Sequence, residues 1–266
     1  MKSILKNQKY KYLVETALLG HGLNSIEDSL ILSLWPKDAN LVWIQEGKIT
    51  IGNIDEFLFV KNEKDNWERL NGKEVSENKF QGKNAFLTAS GTMEVAKLNN
   101  CQMVVTAGLG GIGDIKGQKM SYDLIALSNM EITLIATSPK DMLDIQGTIN
   151  WLNENKVNIY GFNTNICDGY IFVLKPIEIG QKIIENNFEK ISKGSNLVLN
   201  PISREKRFKN IEVLKNAICA GKDAEKNGEY YHPAVNAYID IESKGLSSII
   251  QLESLISNIE LAKKLG

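Results

Sequence analysis

The chain of 266 residues has three cysteines and no excess of basic charge. Cys101, Cys167 and Cys219 are odd in number and show no CxxC spacing. They therefore do not read as a disulfide framework or a zinc site, and reduced thiols in a cytoplasmic protein are expected. No apolar run approaches the roughly 18 residues of a membrane span. The opening MKSILKNQKYKY lacks the apolar centre of a signal peptide. Thirty-one Lys and Arg face thirty-two Asp and Glu, for a net charge of −1. No Lys/Arg run suggests a groove for a phosphate backbone, so neither nucleic acid nor membrane is expected as a partner.

What remains is an ordinary globular composition, 43% hydrophobic and 24% charged. Strand and helix patterns alternate, which predicts a three-layer α/β/α fold with a mixed central sheet and a helical C-terminal part. No repeat or linker stands out, so one domain over 1–266 is expected. Strands are predicted at Tyr12–Leu19, Met103–Thr106, Ile132–Thr137, Asn158–Phe162, Tyr170–Leu174 and Ser195–Leu199. Leu41–Gln45 and Lys48–Gly52 read as a hairpin. Helices are predicted at Ile26–Trp35, Ile54–Val60, Thr88–Leu98, Ser121–Ser128, Ile177–Ile191, Phe208–Gly228, Pro233–Ser243 and Leu246–Leu265, with another closing over Ile149–Asn155. The polar stretch Asn62–Gly82 reads as a loop or flap.

The chemistry concentrates between Val104 and Asp144. A strand runs into the glycines Gly108, Gly110, Gly111 and Gly113, and a second strand ends on Ser138-Pro139-Lys140-Asp141, read as the start of a helix. Open α/β sheets bind ligands at such strand ends, which points to a sugar-phosphate or nucleotide site. A lysine at a helix start opposes the macrodipole, and a lowered amine pKa suits a Schiff-base nucleophile; the alternative is a solvated surface lysine. Glu15 lies among apolar residues, where burial would raise its pKa toward that of a general acid; the alternative is a strand-end glutamate that reaches water. His21 follows in Gly20-His21-Gly22. Thr88 and Ala89 open a helix that either caps itself or receives an anion. Ser121, Tyr122 and Asp123 start another helix, as a cap or as sugar contacts. Asn200 ends a strand.

Together these residues resemble the pseudouridine-5′-phosphate glycosidases, also called the indigoidine synthase A-like family. The family's A-L-E-S-T-I-I-x-H-G is similar to the run from Leu13 to Gly22, its T-T-V-A-S-T-M to Leu87–Met93, and its A-T-G-G-I-G-G loosely to Gly108–Asp114. Its I-S-A-D-L resembles Met120–Leu124, its A-G-A-K-S-I-L-D resembles Thr137–Asp144, and its N-P-I matches Asn200-Pro201-Ile202. The resemblance implies cleavage of the C–C glycosidic bond between ribose 5-phosphate and uracil. By position, Lys140 is the Schiff-base lysine and Glu15 the acid that opens the sugar ring. His21, Thr88, Ala89, Gly108, Ser121, Tyr122, Asp123 and Asn200 fall on substrate-binding positions. It further implies manganese and a homotrimer.

Four departures qualify the likeness. The glycine loop is several residues shorter, with Lys116 at most in place of a His-Arg pair, and the metal-binding aspartate falls on Lys119. Either Asp114 holds the metal or the Lys119 ammonium takes its place. The K-V-S-R-R-D-L motif is barely visible: matching its V-S to Val75-Ser76 leaves Lys73 or Lys79 for the substrate-binding lysine. The family's last-helix asparagine reads Ile249. Its T-P-F reads His232-Pro233-Ala234, which places a histidine at the pocket rim. The expected activity is a lysine-dependent glycosidase or lyase on a ribosyl phosphate. The alternatives are a C-glycoside-forming relative or a catalytically silent sugar-phosphate-binding protein.

Overall fold

The computed structural model describes residues 10–23, 25–63, 66–115, 118–229 and 231–266, with backbone alone for 114–115 and 118–119. The readings on the side chains of Asp114 and Lys119, and on Lys116, lie outside the described residues.

Among the described residues ten strands form the central sheet: β1 (Leu13–Val14), β2 (Leu41–Gln45), β3 (Lys48–Gly52), β4 (Trp67–Leu70), β5 (Asn84–Leu87), β6 (Met103–Val105), β7 (Thr133–Ala136), β8 (Asn158–Phe162), β9 (Gln181–Ile183) and β10 (Asn196–Leu199). Their order is β9-β8-β10-β7-β6-β1-β2-β5-β4, with β3 hairpinned onto β2. From β9 to β2 every neighbouring pair is parallel, whereas β2 meets β5 antiparallel. The sheet is therefore mixed, as the sequence predicts.

Alternate residues of each inner strand enter two separate cores, because side chains on a strand point to opposite faces. Leu13, Val104, Leu134, Leu197 and Ile159 pack on one side with the helices Ala89–Leu98, Tyr122–Ser128 and Ile145–Glu154. Val14, Val105, Ile135, Val198 and Tyr160 pack on the other with Ile211–Lys226, Tyr231–Glu242 and Leu246–Leu265. Strands buried on both faces need near-continuous apolar runs, which is what these short segments show. The result is three layers, with the C-terminal helices all on one face.

Several elements differ from their sequence reading. Tyr12–Leu19 is a strand only over Leu13–Val14; the amides of Glu15 and Thr16 reach Val105 and Leu87 on two different strands, and Ala17–His21 turns helical. The polar stretch 62–82 is not a flap in its described part. It holds the end of the Ile54–Glu63 helix, the edge strand β4 and the helix Gly72–Ser76, which Asn71 and Glu74 close with a capping box. An edge strand has one solvated side, so Trp67-Glu68-Arg69-Leu70 shows little apolar signal.

Ser138-Pro139 is not a helix start. It pairs in parallel with Gly108-Leu109, extending β7 and β6 beyond a break, in keeping with the extended bias before proline. The helix begins at Ile145, where the Asp144 carboxylate accepts from the Gly147 amide at 2.8 Å. Tyr170–Leu174 is irregular apart from a bridge between Phe172 and Phe208. Ile177–Ile191 is not one helix: it forms strand Ile177–Glu178, then β9, then a 3₁₀ segment Glu185–Lys190. Its β-branched residues and Gly180 disfavour helix more than its apolar spacing supports it.

The irregular segment 168–172 is anchored by Arg207. Its buried guanidinium pairs with Asp168 at 2.6 Å and donates to the carbonyls of Asp168, Gly169 and Phe172. The mostly exposed Arg204 also reaches Asp168, at 2.9 Å. Arg207→Ala is expected to lower unfolding stability by about 3 kcal/mol, because buried charge and carbonyls lose their partner. Arg204→Ala should cost no more than about 1 kcal/mol. Urea denaturation of the two variants checks the contrast; equal losses would contradict this anchoring.

Candidate active site

The parallel strands deliver their carboxyl ends to one side, and a cavity opens there of about 500 Å3 including its mouth. Glu15, His21, Gly108 and Lys140 line it together, four residues that the sequence separates by as much as 125 positions (140 − 15). Arg69, Tyr170, His232, Asn236 and Gln251 complete the wall.

Glu15 stands just past the end of β1, 7% exposed, and accepts a hydrogen bond from the Thr106 hydroxyl at 2.7 Å. Burial raises its pKa, against the lowering effects of Thr106, Lys140 and Arg69. Thr106 is fixed in turn from the last helix. The buried Asn258 amide donates to the Thr106 carbonyl at 2.8 Å and to the Thr137 hydroxyl at 3.1 Å, and accepts from Asn200 at 3.0 Å. Asn200 thus supports the site through Asn258, without lining the cavity.

Lys140 lies at the tip of the extension of β7, its amide bonded to the Leu109 carbonyl at 3.1 Å. Burial and the Arg69 cation bring its pKa down to about 8, while Glu15 and Asp123 act in the opposite sense. The cause is thus desolvation and a neighbouring cation, in place of the helix dipole that the sequence suggested. Gly108 leaves room for it. A Cβ there would stand 2.8 Å from the Tyr170 ring and 3.1 Å from Cγ of Lys140. The next residue, Asp141, accepts from the amides of Tyr170, Ile171 and Phe172 at 2.6, 2.8 and 3.1 Å. Burial pushes its pKa up to about 6 even though these amides favour the carboxylate. Asp141 and Arg207 hold the 168–172 segment from two sides and so place the Tyr170 ring against Gly108.

The remaining residues expected at the site lie outside the cavity wall. Thr88 caps the Ala89–Leu98 helix at Gly91, and Ala89 is buried. The Ser90 amide of that helix donates to Asp123 at 2.9 Å, and Gly110 donates to the other Asp123 oxygen at 3.1 Å. A carboxylate of the chain itself therefore occupies the positive helix end, and two polar groups that an external anion would need are already bonded. Ser121 caps the next helix through the Asp123 amide, and Tyr122 follows it. Lys73 is exposed, and Lys79 pairs with Glu77 at 2.6 Å. Neither reaches the cavity; Arg69 does, from the edge strand whose pattern the sequence hid. Ile249 is 36% exposed and off the wall, where Gln251 of the same helix stands. His232 enters the wall, as its position beside Pro233 suggested.

The side chains of Asp114 and Lys119, on which the expected metal position falls, lie outside the described residues, and the described ones assemble no alternative cluster. The described residues bring no three His, Cys, Asp or Glu side chains into ligating range, and both Asp123 oxygens are held by amides.

A desolvated amine destabilises the fold. Below pH 8 the folded state must charge an amine that the unfolded chain charges freely, so the cost is full there and fades as pH rises from about 8 toward 10.5. Lys140→Met is expected to gain on the order of 2 kcal/mol at pH 7 and little near pH 10.5, read by urea unfolding at both pH values. The amine's own titration, followed by acylation rate and peptide mapping, should have its midpoint near 8. Arg69→Ala should move that midpoint up by removing a cation.

A profile of the family described as indigoidine synthase A like protein matches residues 38–266. The chain is 26% identical over 282 residues to a pseudouridine-5′-phosphate glycosidase of Caldanaerobacter subterraneus subsp. tengcongensis, covering 99% of this chain and 90% of the relative. It is 26% identical over 278 residues to the protein of the same name from Fervidobacterium nodosum, covering 94% and 88%. Among solved structures, an indigoidine synthase A-like protein from Thermotoga maritima superposes with TM-score 0.79 at 22% identity, covering 96% of this chain and 91% of that one. The prealnumycin C-glycosynthase, solved in complex with ribulose 5-phosphate, superposes with TM-score 0.76 at 19% identity, covering 96% and 89%. The chain belongs to the family of indigoidine synthase A-like proteins, as a diverged member.

Proposed function

We propose that this protein reversibly cleaves the C–C glycosidic bond of pseudouridine 5′-phosphate, or of a related ribosyl phosphate, through a Schiff base on Lys140. The observation that carries the reading is the meeting, in one cavity, of an amine with pKa about 8 and a carboxyl whose pKa burial raises. The two relatives named pseudouridine-5′-phosphate glycosidases support the substrate class.

In the proposed sequence Glu15 gives its proton to the ring oxygen as the C1′–O bond breaks. The Lys140 amine adds to C1′ and returns a proton to the Glu15 carboxylate. The base carbon takes a proton, so that its bond to C1′ stands across the π system of the base. That bond then breaks, its electron pair entering the ring of the base while the nitrogen lone pair closes the iminium, and the base departs. Water hydrolyses the iminium to ribose 5-phosphate and returns the free amine. Glu15 must begin protonated and Lys140 must have an accessible neutral form, so both pKa shifts point in the direction the chemistry needs. Arg69 at the mouth is a cation able to meet the 5′-phosphate, where a guanidinium bonds two oxygens at once.

Borohydride reduction in the presence of ribose 5-phosphate is expected to leave one sugar adduct on Lys140, located by intact mass and peptide mapping. Lys140→Ala should abolish both the adduct and turnover while ligand affinity stays within about fivefold, a change of under ~1 kcal/mol. An adduct elsewhere, or undiminished turnover, would defeat the assignment. If the Lys119 ammonium takes the place of the family's metal, activity should survive a chelator and should not respond to added manganese. A sharp loss on chelation would restore a metal to the reaction and direct attention to Asp114.

A further inference from the structure

His232 offers this cavity a chemistry that neither the amine nor the carboxyl supplies. It stands in the first turn of the Tyr231–Glu242 helix, and its imidazole shares the cavity wall with Lys140, Glu15 and Arg69. The ring is held edge-on to Tyr231, with centroids 5.4 Å apart. Its Nδ1 is enclosed by protein and has no hydrogen-bond partner among the described residues. An enclosed N–H without an acceptor is rarer in folded proteins than an acceptor left short of a donor. The proton therefore belongs on Nε2, the ring edge left for the cavity. Burial and the cations Lys140 and Arg69 hold the imidazole neutral, with a pKa lowered to about 3. Its place at the positive end of a helix acts in the same sense.

Once the base carbon has taken a proton and a ring N–H has given one up, the bond to C1′ stands across the π system of the base. Where a carbonyl adjoins that carbon, its oxygen takes up the electron pair as the bond breaks and becomes enolate-like. Glu15 and Lys140 are already committed to the ring oxygen and to C1′. A fixed donor aimed at the developing oxyanion lowers the barrier, because it is stronger in the transition state than in the ground state.

We propose that His232 is that donor: a neutral imidazole whose Nε2–H bonds the carbonyl oxygen of the carbon-linked base as the C–C bond breaks. The proposal rests on the lysine-dependent reading above and extends it to the leaving group. The base carbon takes its proton from water before the bond breaks, while a ring N–H gives one up to water; the base then departs as an enolate held at oxygen and regains its proton on nitrogen. The iminium stays on Lys140, and the imidazole ends as it began, with no proton transferred. The leaving group is thereby restricted to rings bearing a carbonyl conjugated to the linking carbon, as in a pyrimidinedione; a plain aromatic hydrocarbon would give the donor nothing to bind. The position carries threonine in the family's T-P-F pattern, so this device is particular to chains with the histidine.

The chain has two histidines, so the ¹⁵N imidazole spectrum of the labelled whole protein reads the ring directly, with His232→Gln assigning the signal. The neutral Nε2–H form is expected unchanged from about pH 8 to about pH 5. A protonated ring at pH 6, or the Nδ1–H form, would overturn the proposal. With pseudouridine 5′-phosphate, His232→Ala should lower kcat roughly 10²- to 10³-fold with KM little changed, the size of a lost oxyanion donor. His232→Gln, whose amide nitrogen reaches the place of Nε2, should recover part of that loss. Borohydride trapping of ribose 5-phosphate on Lys140, in which no base departs, should be unaffected by either variant. Turnover near wild type in His232→Ala, or trapping that falls in step with turnover, would overturn the proposal. So would a wild-type protein that traps ribose 5-phosphate but leaves pseudouridine 5′-phosphate intact. Absence of any adduct in the wild type would instead defeat the lysine reading, a separate failure because the imidazole spectrum needs no turnover.

Discussion

Water is kept from two groups that would both be charged in it. The Lys140 amine and the Glu15 carboxyl face one cavity at the carboxyl ends of parallel strands, and desolvation is the largest influence on each. It moves the amine down and the carboxyl up, so their pKa values approach each other. Had they met closely as an ion pair, each would have stabilised the charged form of the other and the site would hold a salt bridge. Arg69 tips the balance: its cation opposes charge on Lys140. Among the described residues, the cavity gathers its chemistry from strand ends, from the edge strand and from two C-terminal helices, so the whole three-layer body is needed to build it.

Around the cavity buried polar groups hold it rigid. Asp123 ties the start of one helix to the glycine loop. Asp141 and Arg207 clamp the segment that carries Tyr170. Asn258 ties the last helix to the strands that carry Thr106 and Thr137. Each uses a buried side chain to satisfy backbone groups that irregular chain would otherwise leave unpaired, which is costly in a low-dielectric interior. The irregularity has a purpose, since a continuous strand or helix at Gly108 or Tyr170 would not leave space beside Lys140. Holding an amine out of water in this way costs stability.

The layered fold was legible because its signal is local. Alternating apolar strands and amphipathic helices report their own burial, and Leu41–Gln45, Lys48–Gly52 and Leu246–Leu265 stand where the pattern put them. The same rule failed where length or exposure weakened it. The edge strand Trp67–Leu70 has too few buried residues to show a period. Ile177–Ile191 has apolar spacing that two short strands and a 3₁₀ turn satisfy as well as a helix does.

The architecture, the family and the candidacy of Glu15 and Lys140 follow from the sequence alone, because each rests on residue types at short, fixed separations. Only the tertiary structure decided which other groups share their cavity. It brought in Arg69, Tyr170 and Gln251, and it turned Thr88, Ser121, Asp123 and Asn200 into caps and braces. It also replaced the helix dipole by burial as the cause of the lowered lysine pKa. The physical reason is the same in each case. A pKa depends on the water and charge within a few ångströms in space, and a linear chain does not say which distant residues the folding of the sheet will bring that near.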